Sequence, residues 1–166
     1  MILYHGSNVQ FTQFSLKKSN PYKDFGLGIY FTKSENQATQ WALHKAHNNG
    51  IPYLYSIEIP NDLLTDNTYS ILKLTAYNKE WADYICLCRM EGYNSSHDLV
   101  YDRIADNKYA ILSQKLEEYY FKTCNLQNLL STIKNNHNDA NQYCFKSAKI
   151  VDYINSLTIT CKQIYL

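Results

Sequence analysis

Leu3-Tyr4-His5-Gly6-Ser7 and Asp24-Phe25-Gly26-Leu27-Gly28-Ile29-Tyr30-Phe31-Thr32 decide how the remainder of the chain is read. The first is an apolar strand that ends in His-Gly, so a polar ring meets the point where the backbone is most open to close approach. The second is a turn running into a strand, and its aromatic ring lands beside two glycines. Neither has the pattern of plain core. Together they set one imidazole, one phenol and flexible backbone where a nucleotide could be gripped.

Outward from these segments, residues 1–4 read as a strand that ties the terminus into a sheet, and 28–32 as a second strand. The stretch between them, 8–23, is polar with Phe11, Phe14 and Leu16 as anchors, which predicts a loop. Ser34 followed by Gln37 has capping-box spacing. Ala38, Trp41, Ala42 and Lys45 continue one helical face, giving a helix over 35–48 stopped at Asn48-Asn49-Gly50. Residues 53–59 alternate as a strand closed by Pro60. A helix is expected over 69–88 from Ile71, Leu72, Leu74, Trp81, Ile85 and Cys88. Residues 98–102 read as a strand or turn and 104–107 as a loop. Further helices are expected over 109–122 and 126–134, a strand over 141–145, a short helix or turn over 147–157, and a last strand over 157–166. Strands at both ends with helices between them give an α+β class and a single domain over 1–166, with no regular βαβ repeat.

A chain of 166 residues can bury a sizeable core without disulfide staples. With Lys+Arg 16 against Asp+Glu 15, and no block of one sign, the charge does not call for a nucleic-acid backbone as partner. The odd number of cysteines, 5, and the lack of a Cys-x-x-Cys knuckle point to buried thiols in a reducing cytoplasm. No leader pattern and no apolar run long enough to span a membrane occur, so a cytoplasmic protein without a membrane partner is expected.

The candidate site residues follow from chemistry. His5 can hydrogen-bond a ribose hydroxyl, the Gly6 backbone can hold an amide because no side chain blocks it, and Ser7 adds a hydroxyl at the same edge. Gly26 and Gly28 lack the third glycine of a dinucleotide fingerprint, so their plainer use is a turn that comes close to a flat ligand. Tyr30 would be a stacking platform for an electron-poor ring. Trp41 either walls the same pocket or packs in the core. Asp24-Phe25-Gly26 has none of the other segments of a kinase, and His44 with His47 lacks the partners of a metal site. Asp98, Asp102 and Asp106 read as strand and loop carboxylates, with a pocket role as the alternative.

Taken in order, Leu3 to Ser7, Asp24 to Thr32, Ala38 with Trp41-Ala42, Asp98-Leu99-Val100 with Ala105-Asp106, and Asn141-Gln142-x-x-Phe145 resemble the bacterial family DUF3990, over roughly residues 2–154. That family is similar to ADP-ribosyltransferases of the diphtheria-toxin and poly-ADP-ribose-polymerase type. The resemblance implies a split, mixed or antiparallel sheet with flanking helices that clamps NAD as co-substrate. It implies His5 on ribose hydroxyls, Gly6 on the nicotinamide carboxamide, Tyr30 stacked on nicotinamide and Trp41 closing the ring from the other side. The usual glutamate of a later strand corresponds to Gln142, an amide that hydrogen-bonds but is neither charged nor a base. The expected activity is transfer of ADP-ribose to a macromolecular acceptor, as the toxin of a toxin–antitoxin pair with a cognate antitoxin as partner. A catalytically silent NAD-binding module and an NAD glycohydrolase are the alternatives.

Overall fold

The computed structural model describes residues 1–47, 49–103, 109–133 and 141–165. The elements run β1 (Ile2–Ser7), β2 (Ile29–Thr32), α1 (Glu35–Ala46), β3 (Tyr53–Glu58), β4 (Ile71–Leu74), α2 (Lys79–Glu91), β5 (Leu99–Arg103), α3 (Tyr109–Tyr120), α4 (Leu126–Ser131), β6 (Asn141–Phe145), α5 (Ala148–Ser156) and β7 (Ile159–Gln163). The strands form one seven-stranded mixed sheet in the order β4-β5-β6-β2-β1-β3-β7, and the class is α+β. Only the β4–β5 pair is parallel among the described residues. The expected loop over 104–107, the Asp106 carboxylate and the Asn48 stop lie outside the described residues.

Strand pleat sorts the side chains into two cores. On one face Leu3, Phe31, Tyr55, Tyr143 and Phe145 pack with Phe14 of the first loop and with Ile150 and Ile154 of α5. On the other, Cys144 and Val100 pack with Phe25, Trp81, Ile85, Leu116 and Leu129, so α2, α3 and α4 cover this side. Full burial of each such aliphatic or aromatic side chain contributes about 1.5–3 kcal/mol. The helices start where short polar side chains cap them: Ser34 accepts from the Gln37 amide, Asn78 from Trp81, Asn125 from Asn128 and Ser147 from Ile150.

The single helix expected over 69–88 is instead a strand followed by a helix. Ile71-Leu72-Lys73-Leu74 lies parallel to β5, pairing Ile71↔Leu99 through Leu74↔Asp102. Ile71 faces the first core and Leu72 and Leu74 the second, a period of two that a helical wheel had absorbed. Asn78 then restarts the chain as α2, and Gly92 ends it in the left-handed region at φ 66.

The sheet is nearly divided at its centre. β1 runs along β3 for six pairs and β2 along β6 for four, yet among the described residues β1 and β2 share the single register pair Tyr4↔Thr32. Beyond it His5, Gly6 and Ser7 part from Phe31, Tyr30 and Ile29. Helix α1 lies over this parting, with Ala38 and Ala42 buried against β1.

Candidate functional site

At the parting of β1 and β2 a side chain takes the place of a ladder bond. The His5 ring meets the Tyr30 carbonyl through Nδ1 at 2.7 Å. A carbonyl only accepts, so Nδ1 carries the proton and Nε2 is left as an acceptor. Burial among Phe11, Phe14, Phe31 and Tyr55 removes the imidazolium's solvation, and Lys45 and Lys23 oppose its charge. Together they lower the His5 pKa to about 4. The ring is therefore neutral at pH 7, with Nδ1 as its donor and Nε2 as an acceptor.

The Tyr30 side chain points to the opposite face, towards Cys144, its register partner on β6. Its hydroxyl donates to the Gly26 carbonyl at 2.7 Å and accepts from the Phe25 amide at 3.1 Å. Burial, with the Cys144 thiol beside it, keeps the phenol protonated. Phe25 stacks on the ring at 5.9 Å between centroids, and Lys23 Nζ stands 5.0 Å over it. The turn that carries Phe25 is tied down by Lys146, whose ammonium donates to the Phe25 and Leu27 carbonyls, and by an Arg89–Asp24 ion pair at 2.6 Å.

The glycines have unequal uses. Gly6 lies flush under α1, where a Cβ would come within 2.1 Å of the Ala38 carbonyl oxygen. Its own carbonyl accepts from Lys45 Nζ at 3.2 Å. Gly28 is packed: a Cβ there would meet Cys144 Sγ at 2.2 Å, and its amide and carbonyl are both bonded to the Ser19 hydroxyl. Ser7 is buried and its hydroxyl closes a local turn with the Val9 amide and carbonyl. Sequence placed Gly28 and Ser7 in the ligand site; the structure shows for each a local packing or turn contact.

Trp41 is 50% exposed, which settles its alternative of core packing against the core. It stacks with His44 at 5.7 Å, and Lys45 Nζ lies 5.5 Å from its ring. Lys45, reaching from Trp41 to Gly6, and Lys23, over Tyr30, were not singled out in the sequence as site residues. The legible signal was a basic residue on an otherwise apolar helix face. Burial and the nearness of Lys23 bring Lys45 down to about 8, and burial lowers Lys23 as well.

Gln142 lies two residues along β6 from Cys144 and pairs with Thr32 of β2 and Asp102 of β5. It therefore shares the Tyr30 face, one same-face step away, about 7 Å along the strand. Among the described residues its Oε1 is a buried acceptor with no hydrogen-bond partner. Asp102 is 2% exposed and accepts from the Trp81 indole at 2.6 Å. The structure thus sets the His5 and Tyr30 rings on opposite faces of the sheet, joined at the parting through the Tyr30 carbonyl, with Gly6 under α1, Trp41 exposed on that helix and Gln142 on the Tyr30 face beside the buried Asp102. A separate groove of about 230 Å³ on the β3 side of β1 is lined by Tyr4, Leu54, Ser56 and Thr160 and bordered by the Lys162–Glu35 ion pair.

The family described as "Protein of unknown function (DUF3990)" matches residues 1–156. No curated protein matches the chain. No helix among the described residues is long and apolar enough to cross a membrane. The five cysteines are free, with Cys86, Cys88 and Cys144 buried.

Proposed function

We propose, from the premise that the chain belongs to the DUF3990 family, that it is an NAD-dependent ADP-ribosyltransferase acting at the β1–β2 parting. The observation that carries this reading is the His5 Nδ1 to Tyr30 carbonyl bond. It fixes the tautomer, leaves Nε2 to accept from a ribose hydroxyl, and holds two strands apart at a glycine. Gln142 Oε1, buried without a partner, is a second acceptor of the kind a ribose diol needs. These two acceptors are what supports NAD as the co-substrate.

In this reading the bond between ribose C1 and the nicotinamide nitrogen breaks, and the pyridine leaves with the bonding pair as neutral nicotinamide. Cationic character grows on the ribose, and an acceptor nucleophile bonds to C1 through its lone pair, any proton it then carries in excess passing to solvent water. The Gly6 main chain and the Tyr30 and Trp41 rings orient the leaving ring. Negative charge near the developing cation comes from Asp102, the cross-strand neighbour of Gln142, acting through space. Gln142 orients a ribose hydroxyl but takes no proton, so the nucleophile is one that already carries a free lone pair, such as a nucleobase ring nitrogen. The acceptor is macromolecular, and the protein acts as a toxin held in check by a cognate antitoxin in the cytoplasm.

One observation favours a second reading. Without a carboxylate at position 142 the site has the contacts for holding NAD but no base, which suits a silent NAD-binding module.

The deciding assay incubates the protein with NAD labelled in the adenylate half, with and without cell lysate, and follows free nicotinamide and labelled macromolecules. Label on protein or nucleic acid, lost in His5→Ala and in Trp41→Ala, supports the transferase. Nicotinamide release without such label identifies a glycohydrolase, and binding without release a silent module.

A further inference from the structure

Two ammonium groups stand at the parting, and Asp24 acts on one of them, Lys23, through space without pairing with it. Among the described residues neither Lys23 nor Lys45 takes part in an ion pair. The carboxylate next to Lys23 in sequence, Asp24, is held by Arg89 at 2.6 Å. Lys45 Nζ rests on the Gly6 carbonyl at 3.2 Å, and Lys23 Nζ lies 5.0 Å over the Tyr30 ring. Gly6 and Tyr30 sit on the two strands that part, so the two ammonium groups flank the opening from either side.

Two like charges in a half-buried place oppose one another, and the lowered proton affinity of both lysines reflects that burial. Such a pair is complementary to an anion with oxygens on two adjacent centres. The position of Lys23 adds a second constraint. A cation over the face of a tyrosine is where a pyridinium would stack, so the lysine must leave before that ring can use Tyr30. Its four-carbon stem lets the ammonium swing while the backbone stays in place.

We infer that Lys23 and Lys45 form a two-cation seat for the diphosphate of the dinucleotide, with Lys23 moving off the Tyr30 ring onto the diphosphate as the nicotinamide ring takes its place. This rests on the NAD reading above for its ligand, and on the placement of the two lysines for its site. The exchange keeps a cation on the ring at both stages and gives the displaced lysine a doubly charged partner. It also makes Lys23 a discriminator: a ligand with the ring but no diphosphate displaces the lysine without offering it anywhere to go.

The test is calorimetric titration of the full chain at low and at physiological salt with four probes: NAD, ADP-ribose, nicotinamide riboside and inorganic diphosphate. The variants are Lys23→Ala, Lys45→Gln, Lys45→Arg and the Lys23→Ala/Lys45→Gln pair. The exposed Lys18→Ala serves as a charge control, and thermal melting checks that each variant folds. Lys45→Gln is expected to weaken NAD and ADP-ribose about tenfold, with Lys45→Arg restoring most of it. The double variant is expected to lose inorganic diphosphate, and Lys23→Ala to bind nicotinamide riboside more tightly than wild type. NAD binding within twofold of wild type in the double variant overturns the seat and leaves the NAD reading standing. Diphosphate and ADP-ribose binding that depends on both lysines, without any added affinity for NAD and without nicotinamide release, keeps the seat and removes the NAD reading. A wild-type protein that binds none of the four probes overturns both.

Discussion

His5 shows how one side chain carries both folding and chemistry. Its ring is held neutral by burial and by two lysines, with a pKa of about 4 against 6.5 in the unfolded chain. The folded state therefore binds fewer protons than the unfolded state between these values. Its contribution to stability is complete above about pH 6.5, falls as the pH is lowered, and levels off below about 4. The limiting slope is ~1.4 kcal/mol per pH unit, and partial solvent access reduces the total to about 1–2 kcal/mol. Urea unfolding of wild type and His5→Gln across pH 4–7 should show this component in the wild type alone. A parallel pair of curves would place the imidazole in solvent. Trp41 gives the complementary case. Being half exposed, it can be replaced by alanine with a change in unfolding free energy within about 0.5 kcal/mol. In the proposed site that same substitution should remove nicotinamide release by at least about tenfold, a loss worth ~1.4 kcal/mol in transition-state stabilisation. At this scale the sequence was legible to the level of neighbouring strands: the His5 ring does reach the Tyr30 carbonyl, while the two rings lie on opposite faces of the sheet. It was less legible where tertiary packing assigns the role. Nothing local says that Gly28 faces the Cys144 sulfur or that the Ser7 hydroxyl is used two residues away.

Among the elements, β2 is placed by what its neighbours leave room for. Gly28 stands just before it because β6 presses Cys144 against the position, with 2.2 Å between the sulfur and the place a Cβ would take and 3.0 Å from there to the Phe145 carbonyl oxygen. Gly28→Ala should therefore destabilise the protein by about 1–3 kcal/mol through overpacking. Cys144→Ala in the same chain should recover part of this by removing the sulfur, leaving the tighter fit to the carbonyl. A chemical-denaturation cycle over the four proteins reads the coupling directly. Additive effects would show that the glycine is kept for its backbone alone. The one element that sequence misread has a physical cause too. Ile71 packs at the first core and Leu72 and Leu74 at the second, and in a four-residue edge strand the one exposed Lys73 makes an alternation too short to stand out from a helical pattern. The signals that correct the reading were present as caps: Asn78, three residues before Trp81, and Gly92 in the left-handed region bound α2. The helices that began at Ser34 and Ser147 were read closer to their true limits because their caps sit immediately before an apolar face.

Over the whole molecule the sheet consists of β4-β5-β6-β2 and β1-β3-β7, joined in register at Tyr4↔Thr32 and spanned by α1. The parting is where backbone pairing is weakest, because the ladders run within halves, while the first core crosses it, Leu3 and Tyr55 packing with Phe31 and Tyr143. The least costly large opening should thus separate β1-β3-β7 from the rest and carry α1 with one side. Native-state hydrogen exchange should find β1 and β3 amides protected by less than the β5 and β6 amides, which lie between two packed faces. A ligand seated in the parting touches both halves, so it opposes this opening as well as global unfolding. At a hundred times its dissociation constant NAD should add about 2.7 kcal/mol of stability, a rise of roughly 5–10 °C in Tm for a chain of this size. The added exchange protection should be concentrated in β1, β2 and α1. Protection confined to β7 and the Lys162–Glu35 side would put the ligand in the groove on the β3 side of β1 and remove the parting from the mechanism. Equal protection of every strand is also informative. It would mean that the halves never separate below global unfolding, and that α1 and the single register pair already make one cooperative unit of the sheet.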